Sequence, residues 1–188
     1  SYDRKITEKT FLSSADFINT NLKEFGWKTI QIDGGWWTEP GLYSVNDVTF
    51  PHGIRYLSVY VNKLGLDFGL HVSPLRTNPK DPITSKHPDW ILKPINNKKI
   101  AKGDDEMATT VGTVYVDGSH PEVPAFSSAR YQQIVEGYRP SFMKWDHTYG
   151  GLEEGVRFDS TMTFMQAHNK TIRAIRNALP DDLIVTRS

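Results

Sequence analysis

Two ionisable residues, Lys144 and Asp146, lie near the end of a short apolar run over residues 142–147. Successive side chains of an extended strand alternate between its two faces, so Lys144 and Asp146 share one face and Met143 and Trp145 the other. A neighbouring positive charge lowers the pKa of a carboxyl group and keeps it ionised. An ionised carboxylate at a strand end can serve as the nucleophile of a covalent mechanism.

A lysine and an aspartate two positions apart can equally form a solvated ion pair that contributes almost nothing to stability. The functional interpretation is favoured because the arrangement recurs. Other apolar runs also end in a polar or charged residue, at Asp33, His71, Asp117 and Arg187. If these runs are parallel strands, their carboxyl ends meet at one edge of the sheet and form one shared site.

The segments between these runs have helical periodicity. Apolar residues recur at helical spacing over residues 7–25, where Thr7 is the predicted N-cap, and over 54–64 and 161–179, with a weaker pattern at 129–135. Strands are predicted at 29–33, 67–72, 142–146 and 183–187, and residues 113–117 are either a further strand or an excursion. Alternating strands and helices predict an α/β fold with a parallel sheet.

Residues 74–112 form a long polar segment between two predicted strands, and prolines interrupt it repeatedly. Loops of this length without structure of their own are usually functional lids or disordered. Neither an interdomain linker nor a repeat of fixed period is apparent. We therefore predict one domain over residues 1–188, with a long βα loop at 74–112.

Composition narrows the range of partners. Twenty-two basic and twenty-two acidic residues balance, which gives no electrostatic reason to expect nucleic acid or a membrane surface as partner. The absence of cysteine excludes disulfides and thiolate metal sites but does not reveal the compartment. No apolar stretch approaches the ~20 residues of a membrane span. The composition leaves the oligomeric state open.

Cofactor motifs are absent from the sequence. The pair Gly34-Gly35 does not continue into a dinucleotide-binding fingerprint, and no P-loop is present, so we expect no cofactor. A metal-dependent enzyme remains an alternative, because Asp33, His71, Asp117 and Asp146 could supply ligands for a hard or borderline divalent ion. Lys144 beside Asp146 opposes a cation, and we expect no metal.

Several ordered motifs resemble those of the α-galactosidases, the melibiase-like glycoside hydrolases of families 27 and 36 in clan D. They are Ile32-Asp33-Gly34-Gly35-Trp36, Phe50-Pro51-His52-Gly53-Ile54, Leu64-Gly65-Leu66-Asp67-Phe68-Gly69-Leu70, His87-Pro88-Asp89-Trp90, Val116-Asp117 with Pro121-Glu122-Val123, and Lys144-Trp145-Asp146. The resemblance extends over most of the chain. It implies a (β/α)8 barrel that hydrolyses terminal α-glycosides with retention of configuration, and a glycoside or oligosaccharide substrate.

The resemblance also implies roles for individual residues. Asp146 matches the family's nucleophile and Lys144 its sugar-hydroxyl ligand, while Asp33 and Trp36 match the pocket for the non-reducing sugar. We expect further substrate contacts at the remaining candidate positions, which are Trp37, His71, Asp117 and Arg187. The family's general acid/base lies on a later strand, and no position of this sequence matches it.

The length of the chain agrees with the lack of a matching general acid/base, because a complete eight-stranded α/β barrel usually needs about 250 residues. We expect the 188 residues to cover roughly the end of strand one to strand five of the barrel. Such a piece exposes unpaired strand edges, so we predict that it is inactive and poorly soluble by itself. A catalytically silent sugar-binding barrel is the alternative function.

One departure from the family pattern affects specificity. The family usually has two adjacent acids where this chain has Asp33 and Gly34. Discrimination by hydroxyl contacts depends on such partners, so the loss of one weakens the case for galactose itself. Stacking on Trp37 could compensate, and a related sugar such as an arabinopyranoside, or a modified galactoside, stays open.

Overall fold

A parallel sheet forms the centre of the molecule. The computed structural model of the protein describes residues 5–39, 41–93, 95, 114–152 and 154–187. These contain six strands: β1 (Thr29–Ile32), β2 (Asp67–Val72), β3 (Arg76–Thr77), β4 (Val114–Tyr115), β5 (Phe142–Trp145) and β6 (Ile184–Arg187). Strands β1, β2, β5 and β6 pair in that order and are all parallel. The α/β fold predicted from the sequence is confirmed.

Helices connect the strands and cover one side of the sheet. They are α1 (Glu8–Asn21), α2 (Gly53–Lys63), α3 (Pro82–Lys86), α4 (Val123–Tyr138) and α5 (Phe164–Asn177). Thr7 caps α1 as predicted, in a reciprocal pair of hydrogen bonds with Thr10, and Thr163 and Gln166 form the same arrangement at the start of α5. Helix α4 is longer than the weak periodicity at 129–135 predicted.

The two faces of the sheet differ in character. Ile32, Leu70, Met143 and Trp145 lie on the face toward the helices and are at most 2% exposed. They join side chains from α1, α2, α4 and α5 in one hydrophobic core. Toward its carboxyl end the opposite face is polar and carries Gln31, His71, Lys144 and Thr186, of which His71 and Lys144 are register partners. A polar sheet face beside an apolar one is the arrangement that a site on the strands requires.

The segment around residues 113–117 is an excursion from the sheet. Strand β4 pairs with β3 in an antiparallel two-stranded ladder, separate from the parallel sheet. This decides between the two interpretations of residues 113–117 that the sequence left open.

The described part of the loop predicted at 74–112 is ordered. It holds β3, α3 and a 3-10 turn, Pro88–Trp90. Asp81 caps α3, and Trp90 is buried against His87 and Phe126. Residue 94 and residues 96–113 lie outside the described residues.

The outer strands of the parallel sheet carry exposed apolar side chains nearby. Trp27, just before β1, is 60% exposed, and Ile184 in β6 is 61% exposed. Unpaired strand edges flanked by apolar surface favour association with other chains. Residues 1–4, where the sequence predicted the end of a first barrel strand, lie outside the described residues. No helix in the described ranges is both long and apolar enough to span a membrane.

Candidate active site

Three charged side chains and one histidine meet at the carboxyl edge of the parallel sheet. Asp33 directly follows β1, His71 lies in β2, Lys144 lies in β5, and Asp146 follows β5. The parallel register pairs His71 with Lys144, so both side chains leave the sheet on the same face. Because carboxyl ends of parallel strands gather at one edge, residues far apart in sequence become neighbours here.

Lys144 links the two carboxylates. Its Nζ lies 3.1 Å from Asp33 Oδ2 and 3.1 Å from Asp146 Oδ2. His71 Nδ1 lies 3.1 Å from Asp33 Oδ1 and 3.7 Å from Asp146 Oδ2. The side chains of Asp33, Lys144 and Asp146 are 55%, 28% and 21% exposed, so all three remain accessible to a ligand.

Hydrogen bonds fix the Asp33 carboxylate in addition to the ion pairs. Gln31 Nε2 donates to Oδ2 at 3.0 Å, and the Gly34 backbone N–H donates to Oδ1 at 2.7 Å. The interaction with His71 lowers the pKa of Asp33 most, the Gly34 N–H and Lys144 lower it further, and partial burial only partly opposes them. The pKa of Asp33 therefore lies well below its usual range, and this carboxylate stays ionised.

Lys144 also keeps its charge. Partial burial lowers the pKa of its ammonium, but the hydrogen bonds to Asp146 and Asp33 outweigh that effect and raise the pKa above its ordinary value. A permanently charged ammonium between two carboxylates can hold them ionised and donate to sugar hydroxyls at the same time.

The backbone turns sharply directly after Asp146. His147 has a left-handed conformation with φ of 53°, and its N–H donates to Asp146 Oδ1 at 2.8 Å. Its ring places Nε2 3.9 Å from Asp146 Oδ2, while Nδ1 lies 3.1 Å from the Tyr149 hydroxyl. Neither His147 nor Tyr149 is among the site residues predicted from the sequence. Their position directly after the Lys-x-Asp run is the signal that could have found them.

The sugar contacts of Trp36 and Trp37 stay predictions, and the structure places both rings in the hydrophobic core. Trp36 is fully buried, and its Nε1 donates to the His71 carbonyl at 3.0 Å. Trp37 is 7% exposed and packs against Trp36 and Tyr43. Both rings belong to the hydrophobic core, because Tyr43 covers them. The sequence near the two tryptophans does not predict this contact with Tyr43.

Asp117, another predicted substrate contact, is buried apart from the cluster. The side chain is 1% exposed, and its oxygens accept from the backbone N–H groups of Ser119 at 3.0 Å and Phe158 at 2.6 Å. Arg157 lies 3.3 Å away and neutralises the buried charge. Asp117 follows the antiparallel excursion rather than a strand of the parallel sheet, so its carboxylate ties loops together.

Arg187, also a predicted substrate contact, lies on the other face of the sheet. It is the register partner of Trp145, whereas Thr186 is the partner of Lys144. Paired residues of a parallel ladder point to the same side, so Arg187 leaves the sheet toward the helices. Its charge accordingly acts on His168 of α5, where burial first and then Arg187 and Arg157 lower the histidine pKa.

A metal ion could find three ligands here. One ligand atom each from Asp33, His71 and Asp146 lies within 4.8 Å of the others, which is the only such group in the described ranges. The Lys144 ammonium, however, lies 3.1 Å from oxygens of both carboxylates and already neutralises them. The donor set thus fits a carboxylate pair balanced by lysine better than it fits a divalent cation.

The fold and the site define an α/β protein whose parallel strands present a lysine between two carboxylates at their carboxyl edge. A family model described as Melibiase matches residues 13–179. The chain belongs to the melibiase family, and the resemblance drawn from the motifs is confirmed.

Curated relatives agree with this assignment. Alpha-galactosidase AgaA of Geobacillus stearothermophilus is 28% identical over 136 residues, which cover 69% of this chain and 18% of the relative. The probable alpha-galactosidase G of Emericella nidulans is 26% identical over 145 residues, which cover 68% and 19%. The chain thus spans about a fifth of the length of these relatives.

Solved structures show the same fold. The alpha-galactosidase TtGalA of Thermus thermophilus, in complex with stachyose, matches 100% of this chain with a TM-score of 0.77 at 22% identity, over 38% of its own length. The GH36 alpha-galactosidase AgaA of Geobacillus stearothermophilus matches 97% with a TM-score of 0.71 at 21% identity, over 26% of its length.

Proposed function

We propose that the protein is a retaining glycoside hydrolase that acts on terminal α-galactosides, or on a closely related α-glycoside, within a (β/α)8 barrel that includes the described strands. The observation that carries the proposal is the position of Lys144, 3.1 Å from a carboxylate oxygen of both Asp33 and Asp146. Membership of the melibiase family supports the choice of α-galactosides.

In the proposed mechanism Asp146 is the nucleophile. One oxygen attacks the anomeric carbon, forming a glycosyl ester while the bond to the leaving oxygen breaks, and water then hydrolyses the ester. Asp33 suits this role less well, because each of its oxygens already has two close partners: Gly34 and His71 on Oδ1, and Gln31 and Lys144 on Oδ2. Held by these partners, the Asp33 carboxylate is better suited to accept hydrogen bonds from hydroxyl groups of the sugar.

The proton donor has to be a further group. Retaining enzymes place two carboxyl groups about 5 to 5.5 Å apart, and one of them must carry a proton to the leaving oxygen. Asp33 and Asp146 are close enough, with ligand atoms within 4.8 Å. A general acid needs a raised pKa, however, and the pKa of Asp33 is lowered. We therefore place the general acid/base outside the described cluster.

Trapping the intermediate tests this proposal. The full-length protein is inactivated with a fluorinated α-galactosyl donor that slows breakdown of the ester, and the peptide containing residues 142–147 is examined by mass spectrometry. We expect one glycosyl unit on Asp146. Asp146→Asn should lower kcat by roughly a thousandfold or more while galactose binding persists, because it keeps the shape of the side chain but removes the nucleophile.

Asp67→Asn is the matched control. Asp67 begins β2 on the same face of the sheet but at the opposite, amino-terminal end. It should leave kcat unchanged. Full activity in Asp146→Asn, or a label on another carboxylate, would remove Asp146 from the nucleophile role.

The alternative of a silent sugar-binding barrel is favoured by one observation, the lack of a third carboxylate in the cluster of the described residues. It predicts that the wild-type protein binds galactose and turns over no nitrophenyl α-glycoside. A metal-dependent reaction predicts loss of activity in a chelator, which we do not expect.

A further inference from the structure

The His71 side chain is buried and faces other protein groups rather than the surface. The residue is 3% exposed, and both ring nitrogens face protein atoms. Nδ1 faces Asp33 and Asp146, while Nε2 lies 3.5 Å from the Ser73 hydroxyl. The sequence predicts a substrate contact for His71, and in the structure its ring nitrogens face the two carboxylates and Ser73.

We propose that His71 is a positioning residue, which holds the Asp33 and Asp146 carboxylates at a fixed separation by presenting a protonated Nδ1 between them. This inference rests on the proposed function. Carboxylate oxygens only accept hydrogen bonds, so a ring nitrogen 3.1 Å from one and 3.7 Å from another must carry the proton to be stable there.

The geometry at Nδ1 explains how one nitrogen can serve two carboxylates. Nδ1 is buried, and its contacts lie outside the alignment of a standard hydrogen bond, although Asp33 Oδ1 is within 3.1 Å. The interaction is therefore an electrostatic contact shared between two acceptors. Lys144 approaches the other side of Asp33, so the carboxylate is held from two directions.

A buried hydroxyl pair anchors the strand end behind His71. The Tyr43 hydroxyl donates to the Ser73 carbonyl at 2.8 Å and accepts from the Ser73 N–H at 2.8 Å. The Tyr131 hydroxyl lies 3.0 Å from that of Tyr43. Trp37 packs on the His71 ring with centroids 5.3 Å apart. The ring thus has little freedom, as positioning requires.

Two substitutions separate positioning from mere packing. His71→Phe keeps the ring volume and removes Nδ1, whereas His71→Asn places an amide nitrogen close to the position of Nδ1. We expect His71→Phe to lower kcat by roughly 10- to 100-fold on a nitrophenyl α-galactoside with a smaller change in KM, since a charge-assisted contact is lost. His71→Asn should recover most of the rate. Equal loss in both variants would overturn the proposal.

The same substitutions at His52 are the control. His52 Nδ1 also lies close to a carboxylate, 2.7 Å from Glu8 Oε1, but the pair connects α1 to the start of α2. Its Phe and Asn variants should leave kcat unchanged, so a rate effect confined to position 71 reports the active cluster.

A second measurement keeps this test separate from the test of the proposed function. Imidazole nitrogens are observed by NMR in protein labelled at its six histidines, and His71 is identified by the signal that His71→Asn removes. We expect a protonated Nδ1 whose resonance shifts in Asp33→Asn. A ring with its only proton on Nε2 would overturn the positioning role. An inactive wild-type protein with the expected resonance would instead refute the proposed hydrolase.

Discussion

The ammonium of Lys144 lies 3.1 Å from Asp33 Oδ2, although 111 positions separate the two residues in the chain. Lys144 stands on β5, Asp33 follows β1, and β2 lies between those strands. The contact therefore reaches across an entire strand, and it forms only when three strands are in register. It makes Lys144 the residue that connects the two carboxylates of the proposed site.

We expect Lys144→Met to lower kcat/KM by roughly 10- to 100-fold, because both carboxylates lose a charge-assisted partner and the sugar loses a donor. Lys144→Arg should be impaired as well, since a planar guanidinium cannot replace a compact ammonium between two oxygens. Steady-state kinetics on a nitrophenyl α-galactoside checks this. Unchanged kinetics in Lys144→Met would show that the ion pairs of Lys144 do not contribute to catalysis.

Asp33 should contribute to the acid sensitivity of the fold. Its folded pKa is lowered from an ordinary value of 3.8, so its stabilisation is present above that value and is lost as pH falls toward the folded pKa. In Asp33→Asn we expect the melting temperature to fall less than in wild type between about pH 5 and about pH 3. Asp67→Asn is the control for loss of one charge from the same face. Parallel curves for wild type and Asp33→Asn would contradict the expectation.

Tyr43 should matter more for stability than its partner Tyr131. Tyr43→Phe leaves the buried Ser73 N–H without its acceptor, while the Ser73 carbonyl keeps the Arg76 N–H, and we expect a cost of about 1 to 3 kcal/mol. Tyr131→Phe removes only the contact between the two hydroxyls and should cost about 0.5 to 1.5 kcal/mol. Denaturant unfolding of both variants measures the difference, and the reverse order would be inconsistent with the hydrogen bonds described.

Gly34 gives a direct test of sugar specificity. A Cβ at this position would lie 3.5 Å from the Trp37 ring, which is ordinary contact, so a side chain fits. Gly34→Asp supplies the second adjacent acid of the family pattern, and we expect it to raise the preference for an α-galactoside over an α-arabinopyranoside by roughly tenfold or more. Gly34→Ala is the control for the added Cβ. The same ratio of kcat/KM in all three proteins would exclude position 34 from sugar selection.

Strand alternation predicted the residues that meet at the sheet edge. Lys144 and Asp146 share a face because they are two positions apart, and Asp33 joins them because parallel strands end at the same edge. The helices at 7–25, 54–64 and 161–179 followed from apolar spacing, since each buries one stripe against the same sheet.

The positions of other predicted site residues depend on strand pairing and long-range contacts, which cannot be read from the sequence. Arg187 faces the helices because Thr186, not Arg187, is in register with Lys144. Asp117 lies outside the cluster because β4 turns back onto β3 rather than joining the parallel sheet. Trp36 is fully buried because Tyr43 and Tyr138 pack against it. The sequence around Trp36 does not show that these two tyrosines contact it.

The contrast between the faces of β5 has a consequence for how this chain can vary. A shift of a single residue in the pairing of β5 would place Lys144 and Asp146 among the helices and turn Met143 and Trp145 outward. Such a slip would disrupt both the hydrophobic core and the carboxylate cluster. Insertion or deletion of one residue within β5 would therefore move Trp145 out of the core and Asp146 out of the cluster at the same time.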